Sequence, residues 1–167
     1  LDSVRILKNG RRAFEAVPPA GPAEEEEGFV VRVSFGWDAM GGRDVAEWAV
    51  RVRVDGGEVT DVLPNFAGGG GSLEMVNEIT SAGPGEVYFN AYTSRANSRP
   101  IGEVVLRLRG DRSTRIAVEA QTRHKGRPGG CEVTSALGEL LTRDRWAAIS
   151  DTFSAPKLRL GQAHGLS

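Results

Sequence analysis

The chain is dominated by short runs in which apolar and polar residues alternate. In the clearest run, Glu47 to Val54, every second residue is a tryptophan or valine, and most of the others are charged. Because successive side chains of a strand point to opposite faces, this alternation predicts a strand with one buried face and one solvent-exposed face. Phe29 to Trp37 carries the longest apolar face and is predicted to be a central strand. Similar runs occupy residues 3–7, 86–93, 103–109 and 114–120.

Turn residues between these runs predict three hairpins. Asn9-Gly10 separates two extended runs, and Asn-Gly between strands is a strong hairpin signal. Asp55-Gly56-Gly57 predicts that the strand ending at Val54 turns back on itself as far as Leu63. Gly110 to Ser113 predicts a third hairpin, and Gly126 to Gly130 is predicted to break the chain again. Short strands joined by glycine-rich turns favour a β-sandwich or a barrel over an α/β fold.

The C-terminal part has a different pattern. Leu137, Leu140 and Leu141 have the i, i+3, i+4 spacing of a helix face, which predicts a short helix from about Thr134 to Arg145. Residues 146–160 are expected to form an extended tail that packs on the domain or on a neighbour. The predicted fold is therefore an all-β, antiparallel β-sandwich with a short C-terminal helix. The sandwich is assigned to residues 1–130, and the helix and packed tail to residues 131–167.

Composition narrows the class of protein. The chain has 167 residues, which suits one domain, and its formal net charge of −1 gives no field that would attract nucleic acid. It contains no apolar run near the roughly 20 residues of a membrane helix, so membrane insertion is not expected. It begins at Leu1, and we expect it to be a piece of a longer polypeptide. Cys131 is its one cysteine and is expected to be a weakly reactive thiol.

The residues that usually perform catalysis are sparse. Histidine occurs at His124 and His164, and no pair of histidines or cysteines has the spacing of a zinc site. Asp38, Asp44 and Glu47 cluster around one turn, where hydrogen bonding within the turn is favoured over a metal. We therefore predict no catalytic residue, no metal and no cofactor. A hydrolase that uses a pair of carboxylates remains an alternative.

Aromatic residues provide the candidate ligand-binding positions. Trp37 and Trp48 continue apolar faces and are predicted to lie in the core. The candidate binding residues lie elsewhere and are Tyr88, Asn90, Tyr92, Arg99 and Trp146. The two tyrosines alternate with Val87 and Phe89 and therefore belong to the opposite face of their strand. A carbohydrate-binding module with exposed aromatics is one alternative; ordinary surface tyrosines are the other.

Both ends of the chain resemble segments of a known family. The run Leu1 to Arg11 is similar to a segment of bacterial PHP-type metallohydrolases that follows the catalytic barrel and opens a trailing β-rich region. Ala136 to Leu141, followed by Phe153 to Pro156, is similar to the end of such regions. The histidine- and aspartate-rich metal ligands of that family have no counterpart here. The resemblance therefore implies a non-catalytic accessory or interaction domain that packs against a catalytic domain of the same polypeptide, or against a partner protein.

Overall fold

The computed structural model describes residues 4–8, 11–16, 27–37, 41–66, 76–96, 100–148, 157–161 and 164–166. Within these ranges the chain forms strands and one short helix. In chain order they are β1 (Val4–Lys8), β2 (Arg11–Ala16), β3 (Glu27–Gly36), β4 (Val45–Asp55), β5 (Glu58–Asn65), β6 (Glu78–Ala82), β7 (Glu86–Ser94), β8 (Ile101–Gly110), β9 (Arg115–His124), β10 (Arg127–Ala136), α1 (Leu137–Leu140), β11 (Arg145–Ala148), β12 (Lys157–Leu160) and β13 (His164–Leu166). No helix among these residues is long and apolar enough to cross a membrane.

Two antiparallel sheets form a sandwich, as the alternating pattern predicts. One sheet has five strands in the order β10-β9-β4-β7-β6. The other has six: β11-β12-β3-β8-β5, with β13 pairing to β3 beyond the end of β12. β1 and β2 form a separate two-stranded antiparallel sheet, which confirms the pairing expected of the first hairpin, while its predicted turn at Asn9-Gly10 lies outside the described residues.

The core lies between the two sheets and consists of the apolar residues that the alternation singled out. Phe35 of the six-stranded sheet contacts both Trp48 and Phe89 of the five-stranded sheet, with ring centroids 5.4 and 5.3 Å apart. Trp37 and Trp48 are each 2% exposed, so their predicted place in the core is confirmed. Burying a large apolar side chain contributes about 1.5–3 kcal/mol, so these alternating faces supply the main stabilisation of the fold.

The other two predicted hairpins are wrong. β4 pairs with β7 and β9 in one sheet, whereas β5 pairs with β8 in the other. Likewise β8 pairs with β3 and β5, whereas β9 pairs with β4 and β10. The turns at Gly56-Gly57 and at residues 111–114 therefore cross between the sheets. An alternating pattern specifies which face of a strand is buried, and a strand that crosses to the opposite sheet buries that face equally well.

The two crossings pack against each other at one end of the sandwich. Thr114 Oγ1 donates a hydrogen bond of 2.8 Å to the carbonyl oxygen of Gly56. A Cβ atom at Gly57 would lie 2.7 Å from the carbonyl oxygen of Arg109 and 2.8 Å from Thr114 Cγ2. Glycine at this position is therefore required by the close approach of the crossings, and not by a hairpin.

The chain also departs from the prediction after β9. Lys125 and Gly126 both have positive φ angles, 53° and 74°, which are typical of a two-residue type I′ hairpin turn. The predicted break at Gly126 to Gly130 is wrong, because residues 127–130 pair with β9 as the first part of β10. Pro128 is tolerated there because β10 is an edge strand.

The predicted helix is present but much shorter than expected. It spans Leu137–Leu140, because residues 134–136 pair with β9 and Arg145 pairs with Leu160. Leu137 and Leu140 are buried, as their spacing implies. The predicted boundary at residue 130 falls inside β10. The expected extended tail, residues 146–160, contributes β12 and most of β11 to the six-stranded sheet, and its residues 149–156 lie outside the described residues.

Candidate functional site

An open groove with a volume of about 910 Å³ lies on the outer face of the five-stranded sheet. We call it the Ala49 groove and define it by Glu47, Ala49, Glu78, Asn90, Gln121 and Arg123, which all line it. All six residues are exposed. A second cavity of about 270 Å³ shares Ala49, Asn90 and Gln121 and continues toward Arg51 and Tyr88. The concave surface therefore runs along the central strand β4.

Strand register explains how the groove is built. Ala49 on β4 is paired with Asn90 on β7 and with Gln121 on β9. Paired residues of neighbouring strands place their side chains on the same face of the sheet. The methyl group of Ala49 is therefore flanked by two amides, and its small size leaves space above the middle of the sheet. Two residues along β4, Glu47 is paired in the same way with Tyr92 and Arg123.

The polar side chains that define the groove are unpaired within the described part of the chain. Among the described residues, no hydrogen bond or ion pair links the side chains of Glu47, Glu78, Asn90, Gln121 or Arg123 to another residue. Farther along the same face, Arg51 forms an ion pair with Glu86, and Arg53 forms one with Glu132. Within the described residues, the donors and acceptors of the groove are therefore unpaired, whereas two arginines and two glutamates of the adjoining part of the sheet are paired.

The predicted strip on β7 is only partly exposed. Asn90 is exposed in the groove, as predicted. Tyr92 is 6% exposed, so the expectation of an exposed ring at this position is wrong. The segment that enters β6 lies beside it, because the backbone N–H of Tyr92 donates a 2.9 Å hydrogen bond to Asn77 Oδ1. Alternation along β7 identifies the outer face but does not indicate what covers it.

Tyr88 is held by charged neighbours. The Arg51 guanidinium lies 5.3 Å from the centroid of its ring and covers one ring face. Burial and a hydrogen bond with Glu86 raise the pKa of Tyr88, while the hydrogen bond from Arg51 lowers the pKa of Glu86. Since Tyr92 is buried and one face of Tyr88 is occupied, the groove offers hydrogen-bonding groups and not a broad aromatic platform.

The other two predicted binding residues do not join this site. Trp146 is 64% exposed, but it lies on β11 in the six-stranded sheet, where Lys157 Nζ is 5.4 Å from its ring centroid. Arg99 lies outside the described residues. Gln121 and Arg123 complete the groove instead. Sequence reasoning missed both, because the pairing of β9 with β4 cannot be deduced from either strand's own pattern.

A charged cluster lies beyond one end of the groove. Asp44 Oδ1 is 2.9 Å from Lys125 Nζ and 3.8 Å from His124 Nε2, and its Oδ2 accepts a 3.3 Å hydrogen bond from Arg95 Nη1. The bond from Lys125 is the main reason that the pKa of Asp44 is lowered. Within the described ranges, no group of three histidine, cysteine or acidic side chains is placed to hold a metal. Asp38 and the side chain of His164 lie outside the described part of the chain.

Cys131 lies on β10 and is partly buried against the core. Burial raises the pKa of its thiol to about 11. Because the thiolate is the reactive form, this raised pKa favours the less reactive thiol at neutral pH, and the weak reactivity of Cys131 stays a prediction.

Comparison with known proteins finds no matching family model, no matching curated protein and no matching solved structure.

Proposed function

We propose that this chain is a non-catalytic accessory domain of a larger bacterial protein, and that it binds carbohydrate in the Ala49 groove. One observation carries the ligand-binding part of the proposal. Two amides flank a small floor residue, Ala49, and nearby carboxylates and an arginine have no partner among the described residues. Exposed polar side chains along a groove of this kind are suited to a ligand that is itself rich in hydrogen-bonding groups.

The chemistry of the groove favours a sugar over an ion. An amide both donates and accepts hydrogen bonds, a carboxylate accepts them and a guanidinium donates them. Sugar hydroxyls both donate and accept, so they match this mixed set. Glu47, Glu78 and Arg123 give the groove charges of both signs. A nucleic acid requires many lysine and arginine contacts to its phosphates, and the groove does not supply them.

The accessory role is supported by different observations. The two ends of the chain resemble the trailing region of PHP-type metallohydrolases, in which the catalytic domain is a separate part of the polypeptide. Trp146 offers an exposed aromatic side chain on a strand at the edge of the six-stranded sheet. Tryptophan is enriched among the residues that dominate protein interfaces. We propose that Trp146 contacts the catalytic domain or a partner protein.

A glycan array, followed by calorimetry with a binding oligosaccharide, tests the ligand-binding part. Asn90→Ala and Gln121→Ala are each expected to weaken binding about 2- to 12-fold, which corresponds to one hydrogen bond of about 0.5–1.5 kcal/mol. Thr134→Ala is the matched control, because Thr134 is an exposed polar residue on β10 outside the groove. It is expected to bind like the wild type.

Three results would refute the proposed function. The first is the absence of binding to any glycan, and the second is unchanged affinity in both amide variants. The third is turnover: release of product from the oligosaccharide, abolished by Glu47→Gln, would identify a carboxylate-dependent hydrolase instead of a binding domain.

A further inference from the structure

Three strands that build the groove have ends close to one another. β4 begins at Val45, β7 ends at Ser94 and β9 ends at His124. The cross-strand pairing joins these ends, because Val45 is paired with Ser94 and Ala46 with His124. A short distance into the sheet, the same three strands present Glu47, Tyr92 and Arg123 at one end of the Ala49 groove.

A single carboxylate connects all three strand ends. Asp44 directly precedes β4, and its side chain contacts Arg95, which directly follows β7. The same side chain contacts His124 at the end of β9 and Lys125 in the turn that follows. A backbone hydrogen bond of 2.9 Å from the Arg95 N–H to the Asp44 carbonyl oxygen reinforces the connection.

The surroundings of this carboxylate restrict its movement. The side chain of Asp44 is 19% exposed, so its contacts are screened less by water than those of a surface ion pair. Arg95 is held over the ring of Trp37 at 5.6 Å, and the His124 ring meets Trp37 edge-on at 5.0 Å. Two of the three basic partners of Asp44 are thus fixed against the same buried tryptophan.

From this arrangement we infer that Asp44 is the positioning residue of the Ala49 groove: it fixes the relative positions of Glu47, Tyr92 and Arg123 without lining the groove itself. This inference rests on the proposed function. Without the carboxylate, the charges of Arg95 and Lys125 lose the counter-charge that lies between them, and like charges repel. The turn at Lys125–Gly126 is then expected to move, and it joins Arg123 to Pro128 and Gly129 in the wall of the groove.

Asp44→Asn tests the inference, because it removes the charge and keeps the size of the side chain. Asp61→Asn is the matched control, because Asp61 pairs with Arg107 on the other sheet, with an Oδ2–Nε distance of 4.0 Å. In calorimetry with the oligosaccharide, Asp44→Asn is expected to bind about 5- to 10-fold more weakly. This change in affinity is about as large as the loss of one hydrogen bond between the groove and the ligand. Asp61→Asn is expected to bind like the wild type, and Asp44→Glu to recover part of the affinity.

A measurement without ligand separates positioning from general stability. In amide NMR spectra of the free protein, Asp44→Asn is expected to shift the signals of Glu47, Tyr92 and Arg123 while those of β3 and β8 stay in place. If Asp44→Asn does not fold, Lys125→Gln serves instead, because Lys125 is 67% exposed and its substitution removes one contact of Asp44. It is expected to give the same signal shifts and a smaller loss of affinity.

The two proposals fail in different ways. If neither Asn90→Ala nor Gln121→Ala weakens binding, the proposed function is refuted. If those two variants weaken binding but the folded Asp44 variant, or Lys125→Gln in its place, binds like the wild type, the positioning role alone is refuted.

Discussion

The outer faces of both sheets carry charged and polar side chains, but the two faces differ in how these side chains are paired. On the six-stranded sheet, Arg109 pairs with Glu58 at 2.7 Å, Arg107 with Asp61 and Arg32 with Glu103. These ion pairs join residues of neighbouring strands, so the paired arginines and carboxylates of that face neutralise each other. On the five-stranded sheet, the Ala49 groove keeps its charges and amides unpaired among the described residues. The two faces are therefore about equally polar, and they differ in whether their polar groups are paired; this difference is the basis on which we propose the Ala49 groove as the binding site.

Both faces depend on one core, and a change there is expected to have the largest effect. Phe35→Ala removes the ring that contacts Trp48 and Phe89 across the sandwich. The variant is expected to lose about 3–5 kcal/mol of unfolding free energy, as is usual for a buried phenylalanine. Urea denaturation measures this loss. A cost below about 1 kcal/mol would mean that the sheets are not held together through this contact.

Filling the groove is expected to remove binding without destabilising the fold. In Ala49→Phe, the new ring occupies the space between Asn90 and Gln121, while phenylalanine remains a good strand residue. Binding is expected to weaken more than about 10-fold, the equivalent of about 1.4 kcal/mol. The matched control is Leu63→Phe on the outer face of the other sheet, where Leu63 is exposed. Equal binding by both variants would remove the functional distinction between the two faces.

Acid is expected to weaken the contribution of Asp44. Its pKa is lowered in the folded protein, chiefly by Lys125, so the folded state favours the charged carboxylate. The resulting stabilisation is present above the pKa of the unfolded state, about 4, and is lost as the pH falls through the lower pKa of the folded state. The difference in unfolding free energy between the wild type and Asp44→Asn should therefore shrink as the pH falls from about 5 to about 2. A difference independent of pH would show that Asp44 does not act through its charge.

The smallest effect is expected for an exposed pair on the six-stranded sheet. Glu58 and Arg109 are each about half exposed, and such pairs contribute about 0.2–1 kcal/mol. Glu58→Gln is expected to lower the unfolding free energy by that amount in low salt and by less in high salt. Glu47→Gln is its counterpart in the groove and should leave stability unchanged, because Glu47 has no partner among the described residues. A comparable loss in Glu47→Gln would contradict the contrast between the two faces.

The sequence predicted correctly which face of a strand is buried, but it did not predict which strands pair with each other. Alternation identified Phe29 to Trp37 as a central strand with a buried face, and β3 pairs on both sides and buries that face. The turn residues Asp55 to Gly57 predicted a hairpin, but at this point the chain crosses to the other sheet. A turn signal indicates where the direction changes, but pairing is decided by strands far away in the chain.

The site shows the same limit. Asn90 could be placed on an outer face from β7 alone, and it does line the groove. Gln121 belongs to β9, and only the register of both strands with Ala49 brings the two amides together. Tyr92 lies on the same face of β7 as Asn90 but is buried. The alternating pattern identifies the outer face of a strand, but it does not tell which residues of that face are covered by other parts of the chain.

The edge of β3 has a consequence for how the protein is made. β3 stands early in the chain, yet one of its sides is completed by β12 and β13, with Gly161 N–H donating to the Arg32 carbonyl oxygen between them. We therefore expect a nascent polypeptide that has left the ribosome only as far as residue 148 to expose unpaired backbone amides and carbonyls along one side of β3. Such a row is a template for intermolecular association. Translation past residue 166 is what closes it, and premature termination in this stretch should yield inclusion bodies.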